Sequence, residues 1–286
     1  MSRRTSADPP PVPASDPPLP TRRWKLLIAY DGRPFSGWQS QPSQNTIQDL
    51  LEGAFAGILG SRSPRIHAAG RTDAGVHAEG QAAHIDLPAA ASLDAAAWTR
   101  ALNVRLPPAI RVLQVEPAAP GFHARFSALS KTYRYEIDTA PVLSPFRSGL
   151  AWFRPQPLDH DILDRLAQAL LGPHDFAAFA AHRGPGTPPP RSTGRTVTQA
   201  RLDQKPPGSL VLRFTADGFL YRMVRLLVGG MVRCASGRWP ETAFLDLLHR
   251  PGAAGHCAFC APPDGLYLES VHYGSETSPV RSQISI

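Results

Sequence analysis

The chain has 286 residues, 42% of them hydrophobic, enough for one large or two ordinary cores. Thirty Lys and Arg against 23 Asp and Glu leave a formal charge of +7 and a sequence pI near 9.8, which favours a polyanionic partner without identifying one. No run reaches the roughly 18 uncharged apolar residues that span a membrane, and three cysteines do not make a disulfide framework, so a soluble protein of the reducing cytoplasm is expected.

Prolines at 9, 10, 11, 13, 17, 18 and 20, with almost nothing apolar between them, make residues 1–22 a disordered, polyproline-like tail. Arg3-Arg4 leads into those prolines, and Arg22-Arg23 into a run broken by Lys25 and Asp31, so neither pair reads as an export signal. Folding is expected from about Arg23, with a strand over Trp24 to Tyr30. Thr46-Ile47-Gln48-Asp49 then fits a capping pattern that opens an amphipathic helix ending near Gly60. Strands follow at 65–70 and 81–87. Ser92 can cap a second helix through about Leu102, and Ile110 to Glu116 reads as another strand.

The second half has a similar rhythm. Over Thr132 to Asp138, Tyr133, Tyr135 and Ile137 fall on one strand face and Arg134, Glu136 and Asp138 on the other. Ile162, Leu163, Leu166 and Leu170 mark a helix closed by Gly172. A basic-ended, proline-rich loop runs from Arg183 to Ser192, followed by a short strand over Val211 to Phe214. Helices over Phe219 to Ala235 and Pro240 to His249 precede a last strand from Leu266 to Tyr273. This order is α+β, divisible at 23–119 and 120–274, with 275–286 as a C-terminal tail.

Three places carry chemistry. Gly70-Arg71-Thr72-Asp73-Ala74-Gly75-Val76-His77 presents one carboxylate on a glycine-flanked turn, with a guanidinium two residues away. Such a turn suits an anionic substrate that needs a nucleophile or base, and equally suits an Asp that only caps the turn. On the helix expected from Phe219, a rotation of about 100° per residue gathers Arg222, Arg225 and Arg233 into one arc. That arc is either a solvated charged face or a contact for an anion. Tyr133 is either core or a platform for a base. Cys257 and Cys260, with His256 and His249 nearby, have half of a zinc pattern, but the second pair is missing and Cys234 is distant, so no metal is expected.

The stretch Ala69 to Ala78, with Gly80-Gln81 and His84, resembles the catalytic motif of the tRNA pseudouridine synthase A (TruA) family. The resemblance continues at Tyr30-Asp31-Gly32, Phe35-Ser36-Gly37-Trp38-Gln39, Phe122 to Ala128, Lys131-Thr132-Tyr133-Arg134-Tyr135, Met223-Val224-Arg225 and Pro262 to Leu268, in the family's order from about Trp24 to Tyr273. It implies two ferredoxin-like halves sharing an extended, mainly antiparallel sheet, with the active site in the cleft between them. The implied activity is isomerisation of uridine to pseudouridine at positions 38, 39 and 40 of the tRNA anticodon arm, by a homodimer, without cofactor or metal.

Under that resemblance Asp73 is the catalytic carboxylate, and Arg225 pairs with it and favours its ionised, aimed form. Tyr133 lies against the extruded uracil, and Arg71 fills the gap the base leaves. Arg125, Lys131, Arg222 and Arg233 are candidate phosphate contacts. The proline-rich loop after His182 is either a surface connection or a flap near the RNA. The competing reading is a non-catalytic RNA-binding or tRNA-folding module; a nucleoside hydrolase is weaker still. Departures from the family pattern are the long proline-rich extension, the cysteines near residue 257, and Tyr221-Arg222.

Overall fold

The computed structural model describes residues 20–61, 64–182, 184, 190–204 and 208–274. Residues 1–19 of the tail expected over 1–22, the tail expected from 275, and most of the loop between Arg183 and Ser192 lie outside the described residues.

Strand β1 (Thr21–Tyr30) buries Trp24, Leu26, Ile28 and Tyr30 at every second position, the signature of a strand with one face in the core. It starts at Thr21, ahead of the expected start at Arg23, because pairing with the next long strand runs back to Thr21 opposite Pro88, and Arg23 grips Asp86 across it at 2.6 Å. Helix α1 (Ile47–Leu59) matches its sequence signals: the Thr46 hydroxyl accepts the Asp49 N–H at 3.2 Å, and Gly60 ends the helix at φ +64°.

The strand expected at 65–70 shrinks to β2 (His67–Ala68), because the chain leaves the sheet to form the Asp73 turn. The following strand is longer than expected, β3 (His77–Pro88). Helix α2 (Ala95–Arg105) is capped by Asp94, whose Oδ1 accepts the Ala97 N–H at 2.7 Å, and not by Ser92; Leu93 packs on the core instead. Strand β4 (Ile110–Pro117) lies against β1.

Strand β5 (Ser130–Asp138) is buried on both faces. Tyr133, Tyr135 and Ile137 enter the hydrophobic core, while Arg134, Glu136 and Asp138 are buried on the other side. These charges neutralise one another: Arg134 meets Glu136 at 3.0 Å and also pairs with Glu79, and Arg147 reaches Glu136 at 3.1 Å and Asp138 at 3.4 Å. After β5 come β6 (Trp152–Phe153), α3 (His160–Ala169), β7 (Gly172–Asp175), β8 (Gly194–Gln204) and β9 (Ser209–Ala216). Strands β6, β7 and β8 were not expected. In β8 a bulge between Val197 and Gln199 breaks the two-residue period, and only a few small or apolar residues face inward.

Helix α4 (Met223–Ala235) begins four residues later than the pattern from Phe219 predicts, because Arg222 adopts φ +59° and closes a turn before it. Helix α5 (Glu241–His249) and strand β10 (Leu266–His272) complete the chain order. Among the described residues all ten strands join one sheet, ordered β4-β1-β3-β10-β5-β9-β8-β7, with β2 beside β3 and β6 beside β5. It is antiparallel except where β10 meets β3 and β6 meets β5. Strand residues from both ends of this order share a single core with α1, α3, α4 and α5, an α+β architecture.

Candidate active site

Asp73 stands on the loop between β2 and β3, and that loop is held from every side. Tyr30 and Thr72 share a buried hydrogen bond at 2.7 Å, Gln81 Nε2 donates to the Gly70 carbonyl at 2.8 Å, and the Trp38 N–H donates to the Thr72 carbonyl at 3.0 Å. Gly37 lies directly under the turn: a Cβ there would come within 3.0 Å or less of Thr72 O, Ala74 N and the Asp73 carbonyl carbon. Gly75 takes φ +78°, as the expected tight turn requires. Gly70 does not adopt a positive φ; Lys131 and the Tyr133 hydroxyl lie at ordinary contact distance, 3.6 and 3.9 Å, from where a Cβ would stand.

His77 closes the loop. Its Nδ1 accepts the Gly32 N–H at 3.2 Å, its Nε2 lies 3.2 Å from the Gly149 carbonyl, and its ring stacks on Tyr267 at 4.5 Å. Burial lowers its pKa despite the Asp31 carboxylate alongside, so the ring is neutral near pH 7, with Nε2–H as the donor to Gly149.

From the far side of the sheet order comes the cationic partner. Arg225, in the first turn of α4, donates from Nε to the Ala261 carbonyl at 2.7 Å and from Nη1 to Asp73 Oδ2 at 3.3 Å. The backbone bond anchors the guanidinium, so its free edge is aimed at the carboxylate. Arg222 stands further off, Nε to Asp73 Oδ2 at 3.9 Å, from the strained position just before α4. Tyr133 is buried, packs edge-on against Phe219 at 5.0 Å, and has its hydroxyl beside Gly70 at the start of the turn. Burial, then the neighbouring Tyr30 and Asp73, push its phenol pKa up, so it is un-ionised at neutral pH.

Asp73, Arg225, Arg222, Tyr133 and Lys131 therefore converge, and Arg71 is exposed on the same turn. Lys131 is half-buried, and burial, then Arg125 and Arg195, lower its pKa; Arg125 itself is exposed beside Phe126. Arg233 is not in this group. It lies two turns further along α4, over the ring of Phe259 at 4.3 Å. The common arc read for Arg222, Arg225 and Arg233 breaks because Arg222 is outside the helix, and the rest of α4 is buried.

Residues that sequence reasoning gave no role include Tyr30, Thr72, Gln81 and His77, the braces of the turn. They sit in the quoted blocks, but their pairings span tens of residues and leave no local signal. Cys234 and Cys257 are buried, with burial pushing the Cys234 thiol up to about 12, and among the described residues no group of three or more His, Cys, Asp or Glu is placed to hold a metal.

A single-sheet α+β fold with an aspartate turn clamped by an arginine from another part of the chain is the arrangement to set beside known proteins. The family model described as tRNA pseudouridine synthase matches residues 26–127 and 166–274, and the chain belongs to that family. Its curated relatives include a tRNA pseudouridine synthase A of Akkermansia muciniphila, 48% identical over 92% of this chain and 99% of the relative. Another of the same name, from Frankia casuarinae, is 42% identical over 88% of this chain and 89% of its own length. One named tRNA pseudouridine synthase A 1, from Protochlamydia amoebophila, is 39% identical over 88% and 97%.

Proposed function

We propose that this protein isomerises uridine to pseudouridine in tRNA, at positions 38, 39 and 40 of the anticodon arm, with Asp73 as the catalytic carboxylate. The observation that carries the reading is the pairing of Asp73 with Arg225 at 3.3 Å beside Tyr133, in a chain of this family. The reaction breaks the bond between ribose C1′ and uracil N1, turns the base and rejoins it through C5, whose proton is released as N1 gains one. There is no net redox change and no added atom, so a carboxylate suffices, acting on the sugar, on the base or on a ribose proton.

Each neighbour has a role in that scheme. Arg225 keeps the Asp73 carboxylate aimed, and its second bond to Ala261 holds the guanidinium in place during the reaction. Tyr133, un-ionised and flanked by Phe219, offers a flat surface for the extruded uracil, and Arg71 fills the space in the stem that the base vacates. Arg125, Lys131, Arg222 and Arg233 hold backbone phosphates, so placement depends on RNA shape more than on base reading. The two parts of the fold, 23–119 and 120–274, supply Asp73 and its partners respectively. The working form is a homodimer in the cytoplasm.

Tritium release from tRNA labelled at uracil C5 tests the reading, comparing the intact protein, Asp73→Asn and a transcript without uridines at 38 to 40. Release confined to the intact protein on the complete transcript is the expected result. Release by Asp73→Asn removes Asp73 from the mechanism, and no release from folded intact protein supports an RNA-binding module instead.

A further inference from the structure

Beyond Arg225 the same helix borders a second basic feature. A cavity of about 370 Å³ opens among Trp152, Arg154, Gly229, Arg233, Arg238 and Phe259, and no carboxylate of the described residues lines it. Arg233 and Arg238 meet there because of how α4 ends. The Arg238 N–H donates to the Arg233 carbonyl and the Gly237 N–H to Cys234, with Gly237 at φ +66°, the closing motif that folds the chain back over the last turn. Arg154 arrives from the end of β6. Aromatic faces steady two of the three guanidiniums: Arg154 lies over Trp152 at 5.2 Å and Arg233 over Phe259 at 4.3 Å.

These charges work against one another. Burial, followed by the repulsion of Arg238 and Arg233, lowers the Arg154 pKa, and its Nε is buried without a hydrogen-bond partner among the described residues. The negative end of α4 offers about half a charge, too little to offset three guanidiniums. An anion with several acceptor oxygens would satisfy all three.

We propose that this hollow binds a phosphate group, and that the phosphate belongs to the backbone of the substrate tRNA. The inference rests on the function proposed above. Its second support is continuity with the Asp73 site: Arg225 and Arg233 are eight residues apart on one helix, about 12 Å along its axis. The segment that seats Phe259 over Arg233 also exchanges two backbone-anchored bonds with Arg225, Nε to the Ala261 carbonyl at 2.7 Å and the Ala261 N–H to the Arg225 carbonyl at 2.9 Å. Gly229 keeps that segment close, since a Cβ there would fall 2.0 Å from the Phe259 carbonyl. A strand whose uridine enters the Asp73 site thus finds a phosphate seat at a fixed distance.

The test is tRNA affinity as a function of salt for the intact protein, R154Q/R238Q and R154K/R238K, with melting curves to establish folding. R154Q/R238Q is expected to bind about tenfold or more weakly, and its slope of log affinity against log salt to be shallower by about 0.7 to 0.9 for each phosphate no longer neutralised. The lysine pair, keeping the charge, is expected to recover most of the slope. Unchanged affinity and slope in folded R154Q/R238Q overturn the proposal. If inorganic phosphate raises the melting temperature of the intact protein but not of R154Q/R238Q while tRNA binding is unaffected, the hollow takes a free anion and the assignment to RNA fails. Pseudouridine formation by the intact protein is scored separately. A chain that makes no pseudouridine, yet whose salt slope depends on Arg154 and Arg238, refutes the isomerase reading and leaves the phosphate seat standing.

Discussion

Replacing Gly37 with alanine adds one methyl group directly beneath the Asp73 turn. The new Cβ would stand 2.8 Å from Thr72 O and 3.0 Å from Ala74 N and the Asp73 carbonyl carbon, about half an ångström short of ordinary contact. All three neighbours are backbone atoms of the turn, so none can rotate away. Alanine at φ +88° costs about 1–2 kcal/mol, and overpacking adds about 1–3 kcal/mol. At about 2–4 °C per kcal/mol, a fall in Tm of roughly 5–15 °C is expected. The turn must move to accept the methyl, and a displacement of this order at a reacting group slows catalysis by about 100-fold. Gly60→Ala is the matched control: Gly60 also has positive φ, +64°, but among the described residues nothing lies within 4 Å of its Cβ position. It should lose stability and keep its rate. Single-turnover tritium release from saturating tRNA gives the rates, and circular dichroism the melting points. A wild-type rate in Gly37→Ala, or equal slowing in Gly60→Ala, would refute the argument that this contact sets the position of Asp73.

Arg225→Lys keeps the charge but cannot hold the Ala261 carbonyl and Asp73 together, so the single-turnover rate should drop about tenfold or more with tRNA Kd nearly unchanged; an intact rate would show that the second bond is dispensable. Burial, then His123, Arg23 and His67, lower the His84 pKa from 6.5 to about 4. Between those values the unfolded chain takes a proton that the folded one refuses, so stability declines as pH falls from about 6.5 to 4, and His84→Gln should flatten the decline in Tm measured across that range. Arg134→Met removes one of the guanidiniums that neutralise the buried Glu136 and should cost about 3 kcal/mol in urea unfolding; a loss under about 1 kcal/mol would mean that the neighbours that remain, Arg147 among them, compensate fully.

What could be read in advance follows the range of the interactions involved. Thr46, Asp49 and Gly60 define α1 through contacts a few residues apart, and the alternation in β5 announces its core face, so both were legible. The bulge in β8 and the left-handed Arg222 that delays α4 depend on neighbours far along the chain and hide from any short window. The same holds for the site. The turn that carries Asp73 is recognisable locally, but its reading as a catalytic carboxylate and its link to Arg225, 152 residues away, were visible only through family resemblance. Arg154 and Arg238 belong to no motif at all. Their meeting depends on β6 joining the sheet and on the way α4 closes, neither of which leaves a periodic trace. The burial of the β5 charges could not be read in advance, because strand alternation reveals side, while depth is set by what covers that side, here Tyr267 and Arg147.

Strand β10, the last of the described elements in chain order, lies in the interior of the sheet, joined to β3 through Tyr267 opposite His77 and Leu268 opposite Ala78, and to β5 on its other edge. A ribosome delivers β1, β3 and the Asp73 turn early, Tyr133 next and Arg225 later, yet the strand that brings these pieces side by side emerges after all of them. Until it does, β3 and β5 each keep an edge that β2 and β6 cover only in part. The sheet cannot become continuous between β3 and β5 before β10 has emerged. A chain stalled short of β10 would hold Asp73 and Arg225 but lack the strand that joins their two parts of the sheet.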